Sequence, residues 1–349
     1  MLFFQSPLLD SLELVNIKGF ENTIVGPFLA TLSSRMLSRI VLRYGQLSVD
    51  IFKSSIVHFK HLRSLELEDA VLTSDFAIWE VLGTLPSLVN FTLSTFEPAS
   101  HPAHDPKNSN SQSEGPSPKY FEALECLSIR GSYFLIRHLL GFIDSPCLKS
   151  IEAYPSIGRV RKEHEHALEE ELLTPSMAIV ASKWSQSLKK LVIGFSRNAF
   201  SKGLMSLTLL HEMQTFHFVQ MSIENMDDDV KRLVMSWPKL RNLNLRQIPI
   251  SLSTLRLIAE NSPELQYLKI HLDISTFPPF EASSKSLRHN LEDLTFEIAQ
   301  PPQKLERQIQ VARHLDLIFP SLKHVKSYDK SWYGIYDLVK LLQDTRLGQ

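Results

Sequence analysis

The decapeptide SWPKLRNLNL (residues 236–245) is followed by NSPELQYLKI (residues 261–270), and both read Pro-x-Leu-x-x-Leu-x-Leu/Ile. Their apolar positions, Leu240, Leu243 and Leu245 in the first and Leu265, Leu268 and Ile270 in the second, stand 25 residues apart. A fixed period of a few tens of residues marks a chain built from one supersecondary unit used repeatedly. The period therefore has to be followed outward before anything else is read.

Apolar residues at i, i+3 and i+5 recur in this register twelve times, starting at Leu9, Leu37, Leu62, Leu88, Leu124, Leu148, Leu188, Met213, Leu240, Leu265, Leu291 and Leu322. Successive spacings are 28, 25, 26, 36, 24, 40, 25, 27, 25, 26 and 31, so eight of the eleven lie between 24 and 28 and the three long ones point to insertions. A second marker agrees: Pro7, Pro86, Pro146, Pro238, Pro263 and Pro320 each stand two residues before a first apolar position. Positions i+3 and i+5 alternate as a strand does, whereas the residues upstream of each proline recur at helical spacing. In DDDVKRLVMSWP, Asp227 to Asp229 are read as the capping and negatively charged helix start, with Val230, Leu233 and Val234 as the apolar stripe. In SLSTLRLIAENSP the expected cap is Ser253, with Leu255, Ile258 and Ala259 inward, and Thr174-Pro175 is read as N-cap and N1.

Leu-x-x-Leu-x-Leu at this period resembles the leucine-rich repeat family over residues 9–327. Long, degenerate repeats that open on proline and carry polar insertions look most like the C-terminal repeat arrays of fungal F-box proteins. The resemblance implies an α/β solenoid of about 12 irregular repeats, a horseshoe with a concave parallel β-sheet and convex helices. Strands ~4.8 Å apart on one side and helices roughly 8 to 10 Å apart on the other bend such a stack toward its strands. This sequence departs from the family where an Asn or Cys is expected: those places hold Ile17, Ala70, Phe96, Ser132, Met221, Ile248 and Asp273. Buried loop carbonyls there need other donors, so irregular repeats are predicted.

A parallel sheet uncovered on one face must alternate apolar inward and polar outward. The outward positions i+2, i+4 and i+6 include Arg39, Arg43, Glu66, Glu68, Arg130, Glu152, Tyr154 and Lys190, then Asn242, Asn244, Arg246, Tyr267, Lys269, His271, His324, Lys326 and Tyr328. Exposed Tyr and Arg carry disproportionate binding energy at interfaces. The predicted partner-binding residues are Asn244, Arg246, Tyr267, Lys269, His271, Lys326, Tyr328, Arg130 and Tyr154, with Arg246, Tyr267, Lys269 and His271 as the centre. His217 and His271, both outward, are candidates for tuning binding near neutral pH.

Composition narrows the function classes. The 349 residues carry 37 basic and 38 acidic side chains, a net charge of −1, so neither nucleic acid nor an anionic membrane is the expected partner. Cys126 and Cys147 form no Cys-x-x-Cys pattern, and no run of eighteen apolar residues occurs, so a reduced cytoplasmic or nuclear setting is expected. Residues 1–349 are read as a single solenoid, with a disordered insertion at 98–118, a charged insertion at 155–175 and a C-terminal capping segment at 329–349 whose final helix runs over 335–344. His101, His104 and Asp105 in the first insertion lack a rigid element to orient them, and His164-x-His166 lacks the i, i+4 spacing of a helical zinc site. No Gly-rich phosphate loop, Gly-x-Ser-x-Gly elbow or paired-carboxylate motif appears, so no catalytic residue, metal or cofactor is assigned.

What the resemblance implies is a non-catalytic module that grips a protein partner on its concave face, as the substrate-receptor part of an F-box type ubiquitin ligase. The F-box itself docks the adaptor of a cullin-RING ligase, and no Leu-Pro-x-Glu-Ile/Leu segment occurs in residues 1–60. The alternative is a leucine-rich-repeat regulator, activator or inhibitor, of a partner enzyme such as a small GTPase.

Overall fold

The computed structural model describes residues 9–16, 26–32, 36–44, 46–47, 49–68, 71–72, 77–95, 120–155, 162–194, 201–219, 226–274, 286–287, 289–296, 302–327 and 332–347. The chain divides into two compact units, residues 1–179 and 180–349. In the first, β1 (Ser11–Val15), β2 (Arg39–Arg43), β4 (Ser64–Glu68), β6 (Asn90–Ser94), β7 (Cys126–Gly131) and β8 (Ser150–Pro155) pair side by side in chain order, all parallel. Two shorter strands, β3 (Gln46–Leu47) and β5 (Val71–Leu72), form a parallel ladder of their own. In the second, β9 (Lys190–Gly194), β10 (Thr215–Val219), β11 (Asn242–Ile250), β12 (Tyr267–Leu272), β13 (Asp293–Phe296) and β14 (His324–Ser327) do the same. Helices α1 (Gly26–Leu32), α2 (Val49–Ile56), α3 (Ala77–Gly83), α4 (Tyr133–Phe142), α5 (Lys162–Trp184), α6 (Ser201–Ser206), α7 (Asp227–Ser236), α8 (Leu252–Asn261), α9 (Leu305–Ile318) and α10 (Tyr333–Leu347) lie in the connections and after the last strand.

The register is the one the triplets predict. Leu12, Ile40, Leu65, Phe91, Leu127 and Ile151 are matched across the first sheet, and Leu191, Phe216, Leu243, Leu268, Leu294 and Val325 across the second. None of the twelve is more than 7% exposed, so each row is a continuous apolar layer shared between neighbouring repeats. All twelve triplets begin a strand, and the fold is an α/β leucine-rich-repeat solenoid. One core position lies outside the triplet: three residues before it stand Phe59, Leu85, Phe121, Leu210, Trp237 and Phe319, all buried. The Trp237 indole N–H donates to the Leu207 carbonyl at 3.1 Å, so even this large ring leaves no polar atom unmatched.

Main-chain atoms fix the start of most of these strands. The Arg241 carbonyl accepts from the amides of Gln266 and Tyr267, as that of Gln214 accepts from Arg241 and Asn242 and that of Glu292 from Lys323 and His324. The same fork joins Arg63 to Val89 and Asn90 in the first unit. Because these bonds need no particular side chain, repeats with degenerate loops still stack in register.

Three expected helix starts are corrected. Asp227 does not cap its own helix: α7 begins after Met226 with no side-chain cap. Its carboxylate turns to the next repeat and accepts from the Ser251 amide at 2.9 Å, the Ser251 hydroxyl at 2.8 Å and the Thr254 hydroxyl. The cap of α8 is Ser251, whose hydroxyl accepts from the Thr254 amide at 3.2 Å, and Ser253 is exposed as the second residue of the helix. Thr174-Pro175 starts nothing, since α5 runs through the charged insertion and Pro175 sits in its interior. Strict alternation also fails at Val41, Val192 and Thr295, outward positions that are 1%, 3% and 9% exposed. Val41 is flanked by Glu13 and Glu66, and Arg39 and Arg43 on its own strand reach those carboxylates over it, at 2.7 Å to Glu66 and 3.4 Å to Glu13.

At the C-terminal end of the second unit, α10 packs on α9 and β14. Trp332 stacks on Phe296 with centroids 4.3 Å apart, Ile335 and Val339 are fully buried, and the Tyr336 hydroxyl donates to the Lys323 carbonyl at 2.7 Å. The insertion at 98–118, Tyr328, and the side chains of residues 162–172 with their two histidines lie outside what is described.

Candidate protein-binding surface

The open sheet face of the second unit is laid out in rows. One row runs Lys190, Thr215, Asn242, Tyr267, Asp293, His324, and the next runs Val192, His217, Asn244, Lys269, Thr295, Lys326. Strand pairing sets neighbours in a row ~4.8 Å apart, so the side chains of one row reach a single bound segment. Of the predicted residues, Asn244, Tyr267, Lys269 and Lys326 fall in these rows, and Tyr267 and Lys269 stand on the same strand as His271.

Arg246 is placed by an irregularity. Between β11 and β12 the register runs Leu245 to Ile270 and then Pro249 to His271, so Arg246, Gln247 and Ile248 bulge out of the ladder. The bulge tolerates Pro249, which has no amide proton to donate. It also turns Ile248, in the position where the family carries Asn or Cys, into the core at 1% exposure. The Asn244 side-chain carbonyl accepts from the Arg246 amide at 3.3 Å and holds the start of the bulge. Burial pushes His271 below the ordinary histidine range, with the negative charge of Asp273 acting in the opposite direction. Burial thus favours the neutral imidazole.

Arg130 and Tyr154 fall in the first unit, matched in register on β7 and β8. The guanidinium lies over the phenol ring, 5.4 Å from its centroid, and the Tyr154 hydroxyl donates to Glu152 at 3.4 Å. Burial and the Glu152 charge both raise the phenol pKa, against Arg130, so the ring stays neutral and keeps its donor. The rest of that face is closed on itself: Arg39 pairs with Glu66 at 2.7 Å, and Arg43 with Glu13 and Glu68 at 3.4 and 3.1 Å. Such exposed pairs contribute little stability, but they neutralise the surface.

Asp293 was not among the predicted site residues. It occupies an outward position between Tyr267 and His324 and approaches Lys326 at 3.5 Å. The i+2 rule applied to the triplet at Leu291 finds it. Among the described residues no group of three or more His, Cys, Asp or Glu side chains could hold a metal ion, and no helix is long and apolar enough to cross a membrane. An open cleft of about 570 Å³ in the first unit runs along the strand starts past Asp10, Met36, Ser38, His61, Arg63 and Val89.

No family model matches the chain, and no curated protein matches it. Solved structures it is similar to include the complex of Rad7 and Elc1 in yeast, at 12% identity and a TM-score of 0.44, covering 92% of this chain and 73% of that one. The complex of TLR13 with ssRNA13 matches at 16% identity and a TM-score of 0.40, covering 90% of this chain and 44% of the other. An internalin, inlF, from Listeria monocytogenes str. 4b F2365 matches at 16% identity and a TM-score of 0.39, covering 92% and 82%. At this level of likeness the fold assignment rests on strand order and register.

Proposed function

We propose that the chain is a non-catalytic protein-interaction module that takes a partner protein on the open face of its sheet. The observation that supports this most is the outward ladder of the second unit, where Asn244, Tyr267, Lys269, His271 and Lys326 stand on strands held in register by their own backbone, with Arg246 on the bulge beside them. Rigid strands present Tyr and Arg with little further ordering to be lost on binding, the condition under which such residues become hot spots. Tyr328 belongs to the same proposed footprint, and Arg130 with Tyr154 forms a second one in the first unit.

The finer assignment is the substrate-receptor part of an F-box type ubiquitin ligase, supported by the proline-led, irregular repeats. Affinity capture from a eukaryotic lysate, read by mass spectrometry, tests both levels. The triple substitution Arg246→Ala, Tyr267→Ala and Lys269→Ala is expected to abolish capture of a partner while leaving Tm nearly unchanged. Retained capture would place the partner elsewhere. Co-capture of a cullin-RING adaptor supports the ligase assignment, and its consistent absence alongside a captured partner removes it.

A further inference from the structure

Charges on the two open faces are distributed differently. In the first unit, Arg39, Arg43 and Arg130 stand among Glu13, Glu66, Glu68 and Glu152, and Arg39 and Arg43 are both in ion pairs. In the second unit the described outward positions hold Lys190, Arg246, Lys269 and Lys326 against the single carboxylate of Asp293, with Asp273 just past the end of β12. The described outward positions of the second unit thus carry a positive excess that those of the first unit lack.

We infer that the segment docking on β11–β14 is an extended, acidic stretch of the partner protein, an inference that rests on the protein-binding reading above. Lys269 and Lys326 lie in one row with Thr295 between them, so their backbones are two strands, about 10 Å, apart. Same-face side chains of an extended peptide recur about every 7 Å, so carboxylates on one face reach both ammonium groups. Thr295 is only 9% exposed and leaves a low floor between the two lysines. Tyr267, beside Asp293, and Asn242 and Asn244, on the adjoining strand, offer neutral hydrogen-bonding groups to the peptide main chain. A nucleic acid fits less well. The whole chain carries a net charge of −1, which gives a polyanion no long-range attraction, and Tyr267 is the one Phe, Tyr or Trp side chain among the described outward positions of these strands where a single strand needs a series to stack on.

The test uses the full chain and three labelled probes in fluorescence anisotropy: a short peptide alternating glutamate and glycine, its lysine counterpart, and a single-stranded RNA. The glutamate peptide is expected to bind about tenfold or more tighter than the lysine peptide, and to weaken several-fold as salt rises from about 50 to about 200 mM. Lys269→Glu with Lys326→Glu should lose that binding by about tenfold or more, while Lys60→Glu with Lys304→Glu, the same change in net charge at exposed sites off this face, should stay within about twofold. If the glutamate variants do not fold, Lys269→Gln with Lys326→Gln gives the same ordering. Equal losses in both pairs, no preference for the acidic peptide, or RNA bound where the peptide is not, each overturns the inference. Lysate capture that depends on Arg246, Tyr267 and Lys269 while the acidic peptide goes unbound overturns this inference alone and leaves the interaction module standing.

Discussion

Replacing Asp227 tests how the repeats are held to one another. The Asp227 carboxylate leaves its own helix uncapped and reaches across to the following repeat, where it receives the Ser251 amide, the Ser251 hydroxyl and the Thr254 hydroxyl, with Lys231 at 2.9 Å on its outer side. Thr254 is fully buried, so Asp227→Ala leaves its hydroxyl without its charged acceptor, at a cost of about 1–3 kcal/mol. The Ser251 groups are half-buried and recover water, and the partly exposed Lys231 pair contributes about 0.5 kcal/mol or less. The expected loss is about 3 kcal/mol for Asp227→Ala, and less for Asp227→Asn, which keeps one acceptor oxygen. Thr254→Val removes the orphaned hydroxyl, so in the double variant the two losses should fall short of additive by about 1–2 kcal/mol.

Urea unfolding followed by tryptophan fluorescence reads these values, because Trp237 lies buried at the end of the same helix. The pH dependence supplies a second arm. Burial raises the Asp227 pKa, but hydrogen bonds from Thr254, Ser251 and Lys231 outweigh it and hold the carboxyl below the ordinary aspartate value. With the folded pKa below the unfolded one, the stabilisation is fully present above the unfolded value of about 3.9 and is lost as pH falls through the folded value. Asp227→Ala should therefore flatten the acid limb below about pH 4. An alanine variant within about 0.5 kcal/mol of the parent, or strict additivity with Thr254→Val, would refute the clasp.

Two further outcomes follow from the same interior. His289, buried at 3%, accepts the Leu291 amide on Nδ1 and donates from Nε2 to the Ser262 carbonyl, both at 2.9 Å, so the ring is neutral with its tautomer fixed. Burial lowers its pKa, partly offset by the Ser262 bond, so stability is full above the unfolded value of about 6.5 and declines as pH falls toward the folded value. Tm should drop between pH 7 and 5, and His289→Ala should be less stable at pH 7 by about 2–4 kcal/mol while dropping less on acidification, with burial-lowered His138 and His271 accounting for the remainder. An equal drop in parent and variant would exclude His289 as a source. Trp332→Ala, which removes the ring stacked on Phe296, should loosen the last repeats by about 3–5 kcal/mol, and because stacked repeats communicate through neighbours, hydrogen exchange should rise in β13 and β14 before β9 and β10. Uniform acceleration across the unit would contradict that.

Most of the architecture is legible because the period acts twice on each residue. A leucine such as Leu243 has to be apolar for its own strand and again for the rows on either side, so the pattern survives even where the repeats drift in length. The position three residues before each triplet, Trp237 or Phe319, is equally buried but was hidden by its variety of residue types, which include Ser145 and Ser262. Helix starts depart from local rules for a different reason. Local rules assign Asp227 and Ser253 to caps on spacing alone, but the carboxylate finds stronger donors in the neighbouring repeat, and a hydroxyl at Ser251 already satisfies the Thr254 amide. Nothing in the order of residues within one repeat reports what the next repeat offers.

The binding surface divides along the same line. That Lys269 and Lys326 face outward follows from counting along a strand, and their exposure agrees with it. That they share a row, with Thr295 sunk between them and Asp293 drawn toward Lys326, depends on matching across strands, which the spacing of 31 residues into the last repeat obscures. The bulge at Arg246 is the sharper case. A strict period would place Arg246 opposite His271, but Ile248 and Ile250 both go to the core from one strand, and Pro249 takes the place opposite His271 because it needs no partner for an amide it lacks. The same three-residue excursion fixes the approach to Ser251, and through it to Asp227. The side chain proposed to carry binding energy and the clasp between repeats are thus held by one piece of backbone. Loosening that clasp should therefore weaken partner capture through Arg246 sooner than through Lys326, which stands three strands away.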